Sequence, residues 1–409
     1  MANLEIVLHK STILLIVVAA LGYFVDIYDL ILFSVVRVPS LRDLGLSGAE
    51  ILDRGILLLN LQMAGMLVGG LLFGAIGDKF GRVSVLFSSI LLYSLANFAN
   101  GFVYDLNTYA ALRFIAGLGL AGELGAGITL IAETLPREKR GIGTSLIASV
   151  GVSGALLAWE VSRIFNWRNA FIFGGVMGMV LLVLRLGVFE SGLYKEVRNK
   201  DLPRGDWFFL LRSRDRLRRY LGLILLGAPL WYAVGILMTL APELAEALEV
   251  KAPVEGGRAV FFYYLGLIAG DLGSGLLSQF FQSRKKSVAI SLTAFTILLC
   301  VFFLVRGLSV DLFYGLCVAL GLAGGYWATF VTMAAEQFGT NLRATVAISI
   351  PNFARGSLVL VSILFVALKN QVGITASGFS VGLLMMLLAF SSLLILRETY
   401  GLSMDYEET

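Results

Sequence analysis

The chain has 409 residues, of which 58% are hydrophobic and only 15% charged, with a net charge of +4 and a single histidine, His9. A soluble domain carries about a quarter charged residues, so lipid is the expected solvent for most of the chain, and a histidine metal centre is excluded. The basic residues lie in loops between apolar runs, which points to the positive-inside rule rather than to nucleic acid.

Apolar runs long enough to span a bilayer occur near 11–36, 54–76, 83–100, 108–132, 141–163 and 169–188. A second set follows near 220–243, 259–281, 287–305, 310–335, 344–368 and 374–396. The first run is too long for a signal peptide, contains Asp26 and Asp29, and ends in no small-residue cleavage site, so it reads as the first membrane helix. Cys300 and Cys317 fall inside apolar runs and read as core residues with no disulfide role.

The expected fold is therefore all-α, with twelve transmembrane helices in two sets of six. Residues 1–189 form the first half, 190–219 a polar linker, 220–399 the second half and 400–409 a tail. The linker carries nine Lys and Arg, from Lys195 to Arg219. Placing it and both termini in the cytoplasm puts about twenty bases inside against about nine outside, so an inner-membrane protein of that orientation is expected.

The turn after the second run, Gly77-Asp78-Lys79-Phe80-Gly81-Arg82, leaves the bilayer and re-enters it within six residues. Gly70 and Gly74, four apart, share a helix face that lets a neighbour approach. The halves also look alike. Glu133 and Arg140 return as Glu336 and Arg343, each 203 residues on, and the same offset carries Gly70 to Gly273 and Arg82 to Lys285. It sets Asp29 on Tyr232 and Glu123 on Tyr326. A parallel repeat of this kind places a substrate site at the midplane between its halves.

The Gly77–Arg82 turn resembles the signature loop of the major facilitator superfamily. Arg113-Phe-Ile-Ala-Gly-Leu-Gly-Leu-Ala-Gly-Glu123, then Glu133, Pro136 and Arg140-Gly141, resemble the fourth helix and following loop of its metabolite:proton symporter and sugar-porter branches. Trp167-Arg168-Asn169 before the sixth helix, Glu190-Ser191 after it and Tyr28-Asp29 in the first fit those branches too. The seventh helix reads Gly-Ala-Pro-Leu-Trp-Tyr-Ala, without the glutamines of the sugar porters, so sugar is disfavoured. In sugar porters the aspartate matching Asp29 faces the arginine matching Arg113 and is tied to proton movement.

A charge at the bilayer centre costs about 2.5–3.5 kcal/mol, so each needs a reason. Asp26 and Asp29, three apart on one face, with Arg113 and Glu123, form the candidate proton-coupling group. The competing account is a static ion pair fixing helix one against helix four. In the eleventh run Arg355 and Asn352 share a face just after Pro351, and a guanidinium there suits a substrate carboxylate. The competing account pairs Arg355 with Asp271 of the eighth run. Trp231, Tyr232, Tyr263, Tyr264, Tyr326 and Trp327 are candidate cavity walls, or else belt and packing residues. Asp78, Arg82, Glu133, Arg140, Glu336 and Arg343 form a candidate inner gate.

These features predict a secondary transporter importing a small polar metabolite with a proton, an organic acid or zwitterion first. No Walker loop appears, so ATP is not the driver, and no nucleophile–base set suggests an enzyme. No cofactor is called for. The expected partners are the small-molecule substrate, protons and the bilayer, with the chain acting as a monomer. A proton-driven exporter of a cationic or amphiphilic compound is one alternative, and a non-transporting receptor another.

Overall fold

The computed structural model describes residues 10–80, 82–123, 148–190, 210, 212–401 and 408. Every predicted apolar run is mostly helical where it is described, with breaks such as those at 239–240 and 325–326. The first set is α1 (Lys10–Asp43), α2 (Ala49–Phe80), α3 (Arg82–Asn100), α4 (Leu106–Leu120), α5 (Gly154–Ile164) and α6 (Trp167–Glu190). The second is α7 (Arg214–Tyr232), α8 (Ala241–Ala247), α9 (Gly256–Phe280), α10 (Arg284–Leu304), α11 (Val310–Gly324), α12 (Trp327–Glu336), α13 (Thr340–Val372) and α14 (Ile374–Ile395). Among the described residues, eight helical stretches are long and apolar enough to cross a membrane. Below, the near end of the bundle is where α1 begins, and the far end is where α1 gives way to α2.

Glycine decides how the helices pair. A Cβ on Gly65 or Gly69 of α2 would collide with the carbonyl oxygens of Phe114 and Leu118 in α4, and one on Gly117 with that of Gln62. The second set repeats the device: Gly266 and Gly270 of α9 meet Val318 and Leu322 of α11, and Gly321 meets Tyr263. Small residues let backbones approach where lipid supplies no hydrophobic drive. Gly70 has the expected role of letting a neighbour approach, and that neighbour is α13, at Asn352.

These stitches also correct the repeat register. The hydroxyl of Tyr28 donates to the carbonyl of Ala170 at 2.8 Å, and that of Tyr232 to Gly378 at 2.6 Å. The counterpart of Tyr232 is thus Tyr28, 204 residues back, and not Asp29. Gly65 and Gly266 are 201 apart, Gly117 and Gly321 are 204 apart, and Gly273 meets nothing. Turns differ in length between the sets, so no single offset serves every helix.

Two helices are broken at mid-depth. After α7 the chain runs as π-helix over Ala233–Met238, where Thr239 Oγ1 donates to the Val234 carbonyl at 2.7 Å. The α11–α12 break at Gly325 and Tyr326 exposes backbone N–H groups, and Asp271 Oδ1 of α9 accepts from Ala328 N at 3.1 Å. A carboxylate at a helix start satisfies an orphan donor and complements the helix dipole.

Candidate functional site at the centre of the bundle

The face of α1 carrying Gly22, Asp26, Asp29 and Arg37 meets buried charge at successive turns. At Gly22 a Cβ would collide with Glu123 and Arg185, which form a buried ion pair in which both guanidinium ends donate to the carboxylate. The carboxyl of Asp29 packs on Gly174 of α6, within electrostatic reach of Arg113 of α4. Arg113 Nη2 in turn donates to Asn97 of α3, and its guanidinium lies 4.6 Å from the Phe171 ring.

Between them, Asp26 Oδ2 lies 3.5 Å from Arg355 Nη2 of α13. Both residues are fully buried (0% exposed), and no nitrogen of Arg355 and no carboxyl oxygen of Asp26 has a hydrogen-bond partner among the described residues. The guanidinium carbon sits 5.5 Å from the Trp231 ring centre and 6.0 Å from that of Trp327, the two indoles meeting edge to face. Both indoles also line a cavity of about 30 Å³, together with Tyr23, Tyr263, Tyr264 and aliphatic side chains. Trp327 Nε1 donates to Tyr23 at 3.2 Å, whereas Trp231 Nε1 and Tyr263 Oη are unpartnered among the described residues.

Several expectations change here. Arg355 faces Asp26 of the opposite set, and Asp271 Oδ1 accepts from the backbone N–H of Ala328, so the competing account, an Arg355–Asp271 pair, is not what forms. The amide nitrogen of Asn352 donates to the Ala121 carbonyl at 2.7 Å and to Ile348 at 3.1 Å, so it is not the spare donor expected beside the arginine. Tyr232 and Tyr326 spend their hydroxyls on the carbonyls of Gly378 and Leu226 and do not line the cavity, whereas Trp231, Tyr263, Tyr264 and Trp327 do. The group of Asp26, Asp29, Arg113 and Glu123 is divided among three arginines: Asp26 faces Arg355, Asp29 lies near Arg113 one turn along the same face of α1, and Glu123, after α4, pairs with Arg185. Arg185 went unnoticed in the sequence, although a cation inside the run 169–188 has the same rarity as Arg113.

Of the gate residues, Glu133 and Arg140 lie outside the described residues, as do the side chains of Asp78, Arg82 and Arg343. Glu336 pairs with Arg284 at 3.2 Å and accepts from Thr399 at 2.7 Å, all within the second set. At the far end, two ion pairs that the sequence did not suggest join the sets. The Arg37 guanidinium, 1% exposed, gives Glu243 of α8 two contacts of 2.6 and 2.8 Å, and Lys369 reaches Asp53 at 2.7 Å. Thr239 Oγ1 also lies 2.9 Å from Ser34 Oγ. Among the described residues, the ion pairs joining the sets lie at the far end or at Asp26–Arg355, which makes the far-end pairs a candidate latch.

The family model described as Major Facilitator Superfamily matches residues 19–362. A putative metabolite transport protein of Haemophilus influenzae is 30% identical over 346 residues, 80% of this chain and 82% of that protein. A niacin transporter of Acinetobacter baylyi is 33% identical over 193 residues, 46% of this chain and 43% of that one. Among solved structures, the proton:xylose symporter XylE bound to 6-bromo-6-deoxy-D-glucose has the same fold, with a TM-score of 0.73 at 16% identity, covering 97% of this chain and 98% of that one.

Proposed function

This chain belongs to the Major Facilitator Superfamily, and from that premise we propose that it imports a small organic acid, of aromatic monocarboxylate type, together with a proton. It is an integral membrane transporter rather than an enzyme; the substrate, the proton and the direction are our reading. The observation that carries it is Arg355. A fully buried guanidinium with no hydrogen bond among the described residues, its one ionic contact being Asp26 at 3.5 Å, leaves its donors unsatisfied at a cost of about 1–3 kcal/mol or more. A carboxylate fits that fork in bidentate fashion. The Trp231 and Trp327 indoles beside it suit a flat ring, and the small cavity they line, about 30 Å³, must widen to admit one. The similarity to a niacin transporter agrees, niacin being a ring that bears one carboxylate.

The orientation we propose puts the near end in the cytoplasm, since the basic linker 190–219 joins helix ends there. The two six-helix halves then move against each other about the central site, with twelve spans in all. A cationic substrate, the exporter alternative, would have to displace a positive charge from the same place.

The test is uptake of labelled nicotinate and benzoate into proteoliposomes with an alkaline interior, with benzamide as the neutral control. Uphill accumulation of the acids, lost in Arg355→Gln, is expected. Equal handling of benzamide, or unchanged affinity in Arg355→Gln, overturns the reading.

A further inference from the structure

The buried acids of this protein differ in where their partners come from. Glu123 is held by Arg185 within the first set, Asp29 lies beside Arg113 of the same set, and Asp271 accepts the Ala328 N–H within the second. Asp26 alone among these four faces a counter-ion across the midplane, and that counter-ion is the arginine assigned above to the substrate. The other charged or titratable groups acting on Asp26 are Glu123 after α4, Arg185 of α6, Tyr93 of α3, and Asp29 and Tyr23 on α1.

Resting on that reading of Arg355, we infer that Asp26 and the substrate carboxylate compete for Arg355, so that Asp26 must be protonated before the carboxylate can bind. The reason is charge balance in a medium of low dielectric. With Asp26 ionised and no substrate, the pair is neutral. With Asp26 protonated and a carboxylate on Arg355, the site is neutral again. The two mixed states are not: a protonated Asp26 without substrate leaves a lone guanidinium, and an ionised Asp26 with substrate sets two anions on one cation. Closing the halves over either mixed state buries an uncompensated charge. Only the empty and the fully loaded carrier cross, which fixes one proton per carboxylate and makes the net transfer electrically neutral. Asp26 need not touch the substrate; it acts through the arginine.

The experiment is binding of benzoate and nicotinate to the purified full chain between pH 5.5 and 8.5, where both ligands stay ionised, read by tryptophan fluorescence. In wild type, Kd should rise by up to about tenfold per pH unit on the alkaline side of the Asp26 titration. In Asp26→Asn it should be flat and tight at pH 8.5, with exchange of preloaded substrate retained and uphill accumulation lost. If Asp26→Asn does not fold, wild-type calorimetry in buffers of different ionisation heat replaces it, with one proton taken up per benzoate bound at alkaline pH. Loss of binding in Arg355→Gln alongside a wild-type pH slope in Asp26→Asn overturns the competition and leaves the substrate site standing. So does uptake driven by membrane potential alone. Binding in Arg355→Gln equal to wild type, or no binding of either acid to wild type, removes the site itself. A purely structural Asp26 would lower the melting temperature without moving the pH slope.

Discussion

The far-end latch makes a quantitative demand on Glu243. Glu243→Gln keeps the shape and one acceptor but removes the charge facing Arg37, whose guanidinium is 1% exposed. A hydrogen bond to a charged group is worth about 1.5–3 kcal/mol, and stripping the partner from a fully buried ion costs about 3–5 kcal/mol. Glu243 is 23% exposed and Arg37 keeps the Ile51 carbonyl at 3.2 Å, so the lower range applies. Because α1 and α8 separate when the far end opens, that loss falls on the closed state alone. It should raise the far-open population about 10- to 150-fold relative to the closed one. The assay is labelling of a cysteine placed at Ile27, on the cavity wall, by a membrane-impermeant maleimide added at the far side, with Cys300 and Cys317 replaced. Faster labelling in Glu243→Gln is expected, and Arg37→Met should give no further gain when combined with it. Unchanged labelling in a variant that melts like wild type would refute the latch.

Other perturbations separate packing from chemistry. Gly117→Leu and Gly321→Leu drive a side chain into a facing backbone and should each lower the melting temperature sharply, whereas Gly273→Ala, with open space around it, should leave it within a degree or two; similar melting for all three would remove the stitching argument. Asp271→Ala orphans the Ala328 N–H at a cost of about 1–3 kcal/mol while Asp271→Asn retains an acceptor, and Asp271→Asn should not rescue Arg355→Gln; rescue of transport in that double variant would restore the competing account, an Arg355–Asp271 pair. Glu123→Gln leaves Arg185 buried without its counter-charge and should cost about 3–5 kcal/mol, much of it recovered when Arg185→Met is added; additive losses in denaturation would show the pair to be uncoupled.

The helices were legible because membrane spans announce themselves by length and hydropathy, and each described run lands on its predicted segment. Residue types that are costly in lipid were legible too: Asp26, Asp29, Arg113, Glu123 and Arg355 are all buried. Their partners were not. Whether Arg355 meets Asp26 or Asp271 depends on how far α13 is rotated against α1, and periodicity within one helix carries no information about rotation between two. The same limit hid the latch, since Arg37 and Glu243 are 206 residues apart and each sits at a helix end where charge is ordinary. Tyr232 and Tyr326 show the complementary error. A polar tip on an aromatic ring reads as a pocket wall, but one backbone carbonyl on the next helix is enough to use it.

The Asp26–Arg355 contact has a consequence for how the protein is made. Helix α13 must enter the bilayer carrying an arginine at its middle, a step opposed by about 2.5–3.5 kcal/mol on insertion scales. The counter-charge sits on α1, which leaves the ribosome well before α13, so by the time α13 is threaded the compensating carboxylate is already in the membrane. Synthesis order and charge placement thus agree: the earlier half is a template on which the helix carrying that buried arginine is seated. A second half made without the first would have to hold that arginine alone, so the two halves are partners in membrane insertion before they are partners in transport.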